Sequence, residues 1–348
     1  MKKVTLQDIA NELGISRNTV SKAINNSDGI ADATRDKILQ KAVEMGYKQF
    51  SYVNTAIRNN EVTVKLESPQ YQGEIALLTS VFLTQSHFSS TMLDKFQREI
   101  SQAGFTMNTH RVTKDNLRTK TLPYTYRKDV VKAVICIEMF DLEYDKMICD
   151  LDVPVLFVDG PVKRNGYSLP ADQLYMDNTT EITRFVNDMI ASGQTRIGFI
   201  GDYNHCQSFY ERYAAFRLAM LMAGIPVDER YIFCSNNVGE IIEPIAKLDK
   251  LPDVFICAND FLAGDLIRCL FSIGKSAPED VRILGFDNSS ESRMVRPALS
   301  TVHIHTQIMA ISALQLLLTR RSEPDMDYRV VYTETELIYR DSTRLDFK

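Results

Sequence analysis

From Gly73 onward the chain alternates short, continuous apolar runs with longer amphipathic ones, and few folds accommodate that alternation. Glu74 to Thr79, Val130 to Ile137 and Val153 to Val158 are dense in aliphatic residues and lack the in/out alternation of a half-exposed strand. Strands of that kind need cover on both faces. Phe105 to His110 reads as a further strand. Ahead of it, Thr91 to Ala103 sets Met92, Leu93, Phe96 and Ile100 on one helical face and stops at Gly104. A parallel sheet wrapped by helices satisfies the pattern.

The same grammar restarts after Pro161. Asp177 to Ser192, Ser208 to Ala223 and Asp260 to Ile273 read as helices, interleaved with strands at Arg196 to Gly201, Val254 to Ala258 and Val281 to Asp287. The tail adds Leu299 to His305, a helix from Thr306 to Thr319, and strands at Tyr328 to Tyr332 and Glu336 to Arg340. Two series with one plan predict two similar lobes.

Residues 4 to 47 obey a different rule, with helices only. Thr5 followed by Asp8 is a helix-start pattern that satisfies orphan amides. Ile9, Ala10 and Leu13 fall at helical spacing, and Gly14 stops the helix by taking a left-handed conformation cheaply. Ser16 caps a second helix to about Ile24, on which Val20, Ala23 and Ile24 share a face and leave Arg17, Asn18, Ser21 and Lys22 outside. A third helix spans about Asp32 to Met45. This is a helix-turn-helix layout with side chains suited to a duplex: guanidinium, ammonium and amide for base edges, hydroxyls for phosphates. Charge divides accordingly. Residues 1 to 60 hold nine Lys/Arg against six Asp/Glu, whereas the remainder holds 31 against 39 within a net charge of -5. The basic excess sits where phosphate neutralisation requires it.

The head resembles the LacI/GalR family. Val4-Thr5-Leu6-Gln7-Asp8-Ile9-Ala10, Gly14-Ile15-Ser16-Arg17-Asn18-Thr19-Val20-Ser21-Lys22-Ala23-Ile24-Asn25, Thr34-Arg35-Asp36-Lys37-Ile38 and Gly46-Tyr47 match that family's signature without gaps. The likeness continues through Val155 to Asp159, Asp177-Asn178, Arg196 to Gly201, Ala258-Asn259-Asp260, Gly285-Phe286-Asp287 and Arg340 to Thr343. It implies a small all-α helix-turn-helix head at 1–48, a hinge or linker at 49–72, and a bilobal, periplasmic-binding-protein-like α/β body of doubly wound parallel sheets at 73–348. Three crossings between lobes are expected near Gly160, Ser289 and Arg320. Lobe 1 would then take 73–160 and 290–320, and lobe 2 would take 161–289 and 321–345.

By the same resemblance Arg17, Asn18 and Lys22 read bases, while Thr5, Ser16, Thr19, Ser21, Asn25 and Tyr47 hold the DNA backbone. Lys22 stands where the family usually has Arg and loses the bidentate fork. In the hinge, Gln49 replaces the family's Pro and Ala56 its minor-groove Leu, and a methyl group makes a poor wedge between bases. The implied activity is transcriptional regulation, as a repressor, by a homodimer on a palindromic double-stranded operator, with a small sugar-like effector between the lobes.

Ligands of open parallel sheets sit beyond the carboxyl ends of the strands. Arg212 starts a helical run after the strand at 197–200 and Asp260 follows the strand at 254–258; the resemblance makes both of them holders of sugar hydroxyls. Asp159, Phe88 and Ser89 are further candidates at that edge. The plainer alternative for Arg212 and Asp260 is that they cap helices or pair with each other.

Other function classes find little support. The six cysteines include no Cys-x-x-Cys pair and several lie in apolar runs, as reduced core residues do. His303 and His305 share a strand face without a supporting Cys or carboxylate cluster and read as structural. No catalytic constellation, cofactor loop or metal site stands out, so neither an enzyme nor a cofactor is expected. No apolar leader or membrane-length stretch is present, and a cytoplasmic location is expected. The rival readings are a carbohydrate-binding protein of the transport type and a regulator whose ligand acts as corepressor.

Overall fold

The computed structural model describes residues 4–24, 30–45, 47, 71–80, 87–163, 166 and 168–343. Its head has helices α1 (Leu6–Leu13), α2 (Arg17–Ile24) and α3 (Asp32–Glu44). The capping box at Thr5 forms as the sequence suggests: the Asp8 amide donates to Thr5 Oγ1 at 3.3 Å and the Thr5 amide to Asp8 Oδ2 at 2.8 Å. Gly14 ends α1 at φ 65°. Ile9, Ala10, Val20, Ala23, Ile24, Ile38, Leu39 and Ala42 form the small head core. Ile308 and Ile311, which belong to the body, pack against it.

The first lobe contains β1 (Gly73–Thr79), α4 (His87–Gln102), β2 (Phe105–Arg111), α5 (Lys114–Thr119), β3 (Val131–Ile137), α6 (Leu142–Cys149), β4 (Val155–Val158) and β5 (Asp172–Met176). The second contains α7 (Thr180–Ala191), β6 (Ile197–Ile200), α8 (Gln207–Met222), β7 (Ile232–Phe233), α9 (Val238–Ala246), β8 (Val254–Cys257), α10 (Asp260–Ser272), β9 (Arg282–Asp287), α11 (Glu291–Met294) and β10 (Ser300–Ile304). The chain then gives α12 (Thr306–Ser322), β11 (Val330–Thr333) and β12 (Thr335–Ile338). Strand order is β11-β5-β4-β3-β1-β2 in one sheet and β12-β10-β9-β8-β6-β7 in the other. Pairing is parallel throughout except between β10 and β12. Both sheets are doubly wound, with strand order reversing beside β1 and β6.

The uninterrupted apolar runs bury both faces. Along β3, Ile135 and Ile137 join one core while Val134 and Cys136 join the core on the opposite face.

The lobe crossings differ from the expected places. β5 still belongs to the first sheet, β10 to the second and β11 to the first. The chain therefore crosses after Met176, at His305 and at Glu334 rather than near Gly160, Ser289 and Arg320. The reason lies in β5, whose Asp172 and Gln173 are buried polar residues that break the apolar signature of a covered strand. Asp172 is stabilised there by Arg320 and Arg329, with Nη2 to carboxylate distances of 3.1 Å each. Burial pushes the carboxyl pKa up, but the bonds from the two arginines outweigh it and hold the group below its ordinary value.

Candidate functional site

The head presents a polar face. Arg17, Asn18 and Lys22 are exposed on α2 while Val20, Ala23 and Ile24 point into the head core. Ser16 caps the helix, accepting the Thr19 amide at 3.0 Å, and its hydroxyl lies 2.8 Å from that of Thr19. Thr5 is exposed, with its side chain engaged by Asp8. Ser21 and Tyr47 are half-buried. Asn25 and Ala56, with the hinge as far as residue 70, lie outside the described residues.

The second site is a cavity of 640 Å³ at the facing carboxyl ends of the two sheets. The first lobe contributes Phe88 from the first turn of α4, Glu138 beyond β3, Phe140, Asp159 beyond β4, and Met176 at the end of β5. The second contributes His205, Phe209 and Arg212 from the region of α8, Asn259, Phe261 and Asp265 around the start of α10, and Asp287 at the end of β9. Helices start where strands end in this fold, so a sheet reversal gathers loops from both sides into one crevice.

Arg212 is only 3% exposed and is fixed on three sides. Its Nε donates to Asn178 Oδ1 at 2.9 Å, its Nη1 donates to the Ala258 carbonyl, and its guanidinium carbon lies 3.5 Å from the centre of the Phe286 ring. Nη2 makes no hydrogen bond to any described residue, which leaves a donor turned to the cavity. Burial lowers this pKa and Asp287 is the foremost opposing influence.

Asp159 reaches across the lobe boundary. Its Oδ1 accepts the Gly160 amide at 2.8 Å and the Ser208 amide, in the first turn of α8, at 3.3 Å. A carboxylate at a helix start is favourable, although burial still raises this carboxyl's pKa. Phe88 lines the cavity. Ser89 instead lies behind it, fully buried, donating to Glu138 Oε1 at 3.3 Å and so helping to place that carboxylate.

Asp260 is the candidate placed least like the expectation. It is buried behind the cavity wall, where Oδ2 accepts the Ser289 amide at 2.7 Å and Oδ1 accepts the Thr301 hydroxyl at 2.6 Å. Burial pushes its carboxyl up to about 7, with those bonds opposing. The space it fills exists because residue 285 is glycine: a Cβ there would strike the Asp260 carboxylate. Its neighbour Asn259 lines the cavity instead. Asn259 Oδ1 caps α10 by accepting the Leu262 amide at 3.0 Å, while its Nδ2 makes no hydrogen bond to a described residue.

Asp287, Asn259, Glu138, His205 and Phe140 are cavity residues that the sequence reading does not pick out. Asp287 and Glu138 each stand where an apolar run ends, so the strand-end rule itself carried the signal. His205 sits edge-on to Phe140 of the other lobe, with centroids 4.8 Å apart, and burial lowers its pKa. His303 and His305 are buried away from this cavity, their ring centroids 4.9 Å apart. Among the described residues no group of His, Cys, Asp and Glu is arranged to hold a metal ion. No described helix is long and apolar enough to cross a membrane.

Comparison with known proteins matches both parts. Residues 5–49 fit the profile of bacterial regulatory proteins of the lacI family, and residues 186–343 that of a periplasmic binding protein-like domain. The HTH-type transcriptional repressor PurR of Vibrio parahaemolyticus is 25% identical over 98% of this chain and 98% of its own. PurR of Histophilus somni is 25% identical over 98% and 99% respectively. Among solved structures, the transcriptional regulator CelR in complex with cellobiose covers 98% of this chain and 100% of its own at TM-score 0.68 and 22% identity. The lac repressor dimer bound to operator and the anti-inducer ONPF covers 98% and 99% at TM-score 0.63 and 18% identity. With a helix-turn-helix head that presents Arg17, Asn18 and Lys22 and a two-sheet body joined by three crossings, the chain belongs to the LacI/GalR family of DNA-binding transcriptional regulators.

Proposed function

We propose that this regulator is a cytoplasmic, homodimeric repressor of a palindromic operator, controlled by a small sugar or sugar derivative held between its lobes. One observation carries the effector reading: Arg212 Nη2, Asn259 Nδ2 and the Asp287 carboxylate converge on one cavity with no hydrogen bonds to other described residues. A polyol both donates and accepts, so it can satisfy a guanidinium, an amide and a carboxylate together, through charge-assisted bonds on two of the three. The rings of Phe88, Phe140, Phe209 and Phe261 supply the apolar faces on which a sugar ring stacks. Asp260 acts from behind, bracing the Ser289 and Thr301 segment.

At the head, Arg17, Asn18 and Lys22 read base edges in the major groove, and Ser16, Thr19, Ser21, Thr5 and Tyr47 lie on the phosphate side. One such helix reads a half-site, and two related by a dyad read a palindrome. An effector that fits one arrangement of the lobes better than another shifts the pair of heads between DNA-competent and incompetent spacing. The shift is limited by that difference in affinity. The cellobiose bound by CelR is a precedent for a sugar in a body of this fold. A thermal-shift screen of sugars against the full chain, repeated with Arg212→Lys and Asp287→Asn, tests the site. Ligands that stabilise all three proteins equally would place the site elsewhere.

A further inference from the structure

The head core is closed by a helix that is not part of the head. Ile308, 5% exposed, belongs to the cluster formed by Ile9, Val20, Ile38 and their neighbours, and Ile311, one turn further along α12, packs against the same cluster. The start of α12 is buried on opposite sides: Met309 and Ala310 join the core of the body while Ile308 joins that of the head. Two isoleucines at helical spacing on a body helix are thus covered by the head, and apolar burial is the main drive for such a contact. The covalent connection does not dictate this place. Residues 48–70 join Tyr47 to Tyr71, ahead of β1, and at up to about 3.5 Å per residue their reach far exceeds the length of one strand.

The seat spans the lobe boundary. Helix α12 packs on α4 of the first lobe, whereas Glu336 belongs to β12 of the second sheet and Glu334 to the third crossing. Both carboxylates act on Tyr47: burial pushes its hydroxyl up first, Glu336 and Glu334 next, with Arg17 opposing. The basic excess of the head and the acidic excess of the body favour the same contact. A phosphate approaching Tyr47 in this position meets two groups of like charge, so Tyr47 serves either the body or a phosphate. Arg17, Asn18 and Lys22 stay exposed. The seat therefore withholds the backbone anchor and fixes the position of the head, and leaves the reading helix itself uncovered. Because both lobes build it, the seat changes when the lobes move.

We propose that the head parks on its own body, across the start of α12 and the crossings at His305 and Glu334, and that the parked form is self-inhibited, with duplex DNA and the body competing for the head. This rests on the reading of Tyr47 as a phosphate contact. Apparent DNA affinity is then scaled by the fraction of heads that have left the seat. An effector that favours one arrangement of the lobes acts by making or breaking that seat.

The chain has no tryptophan, so Tyr47→Trp places a single fluorescent reporter in the seat. Its emission and acrylamide quenching are compared in the full chain with and without Ile308→Ser plus Ile311→Ser, and with and without Glu334→Gln plus Glu336→Gln, a near-isosteric pair that leaves the apolar core untouched. The same two pairs of changes, with Tyr47 retained, are titrated with a short random-sequence duplex at low salt, where phosphate contacts dominate. The expected result is a red-shifted, more quenchable reporter in both, with the duplex bound about tenfold tighter after the serine changes and about threefold tighter after the carboxamide changes. A reporter indifferent to both pairs would show that the head is not parked. A reporter that responds while duplex affinity stays unchanged would show that parking does not inhibit. Either outcome overturns the inference and leaves the head as a DNA binder. Failure of the parent and every variant to bind duplex would sink the DNA reading of the head and the inference with it.

Discussion

Arg17 and Asn18 are exposed on a helix whose other face is locked into the head core. On the proposed function each reads one base pair. Arg17→Ala or Asn18→Ala should therefore relax preference at a single operator position by about 1–3 kcal/mol, measured by competition binding against single-base operator variants; an unchanged preference would mean that other side chains read the bases. Within the cleft, Arg212 is where the strand-end rule puts it, and Asp260 shows the rule's limit. Two adjacent residues follow β8, and sequence does not say which turns outward: Asn259 faces the cavity and Asp260 faces Ser289 and Thr301. Asp145 on α6 is a different matter. It is fully buried and neither carboxylate oxygen has a hydrogen-bond partner. Burial pushes its carboxyl from 3.8 up to about 8. Between those values the native state keeps a proton that the unfolded state loses, so this group's contribution to stability falls as pH rises across that window and is flat above it. Asp145→Asn should remove that slope and raise stability at mildly alkaline pH by about 1–3 kcal/mol, read from urea midpoints at several pH values. A variant as pH-sensitive as the parent would show that Asp145 is hydrated in solution.

Helix α8 ties the cleft to β11 of the first lobe. Glu211, one residue before Arg212, accepts from Tyr332 of β11 at 2.8 Å, from Gln207 at 2.9 Å and from Asn178 at 2.8 Å, and Asn178 in turn accepts from Arg212. Tyr332 belongs to the first lobe and Glu211 to the second, so lobe rotation must strain or break their bond. Tyr332→Phe should leave folding intact and shift the effector concentration that half-changes DNA binding by roughly threefold to tenfold, the net worth of one ordinary hydrogen bond. An unchanged midpoint would assign the contact to packing alone. Gly285 sits on β9 against Asp260, where a Cβ would also lie 2.9 Å from Leu299 Cδ2. Gly285→Ala should cost about 1–3 kcal/mol of stability, seen as a lower denaturant midpoint. Most strands and helices of both lobes were legible because covered parallel strands announce themselves as unbroken apolar runs. β5 was not, because Asp172 is stabilised in the core by Arg320 and Arg329, residues more than a hundred positions away. With β5 hidden, the crossings moved too. The short β7 and helices α5, α6, α9 and α11 left no periodic signal long enough to read.

At the scale of the whole molecule, the basic excess of the head and the acidic excess of the body assign the two parts to different partners. The head faces phosphate, and the cleft turns three carboxylates inward. The head core touches Ile308 and Ile311 of α12, the helix that begins just after the crossing at His305. Sequence alone carried the two-part plan, since the alternation after residue 73 and the helices before residue 48 follow different periodicities. It could not carry the cleft's lining, which depends on how Glu138, Asp159 and Asp287, each at positive φ, leave the ends of their strands. The central claim is that α2 reads a palindrome. Genomic fragments selected at low salt by the full chain should converge on an inverted repeat, and the Arg17→Ala protein should select the same repeat degenerate at one symmetry-related position in each half. Enrichment without dyad symmetry, or a repeat indifferent to Arg17 and Asn18 alike, would contradict it.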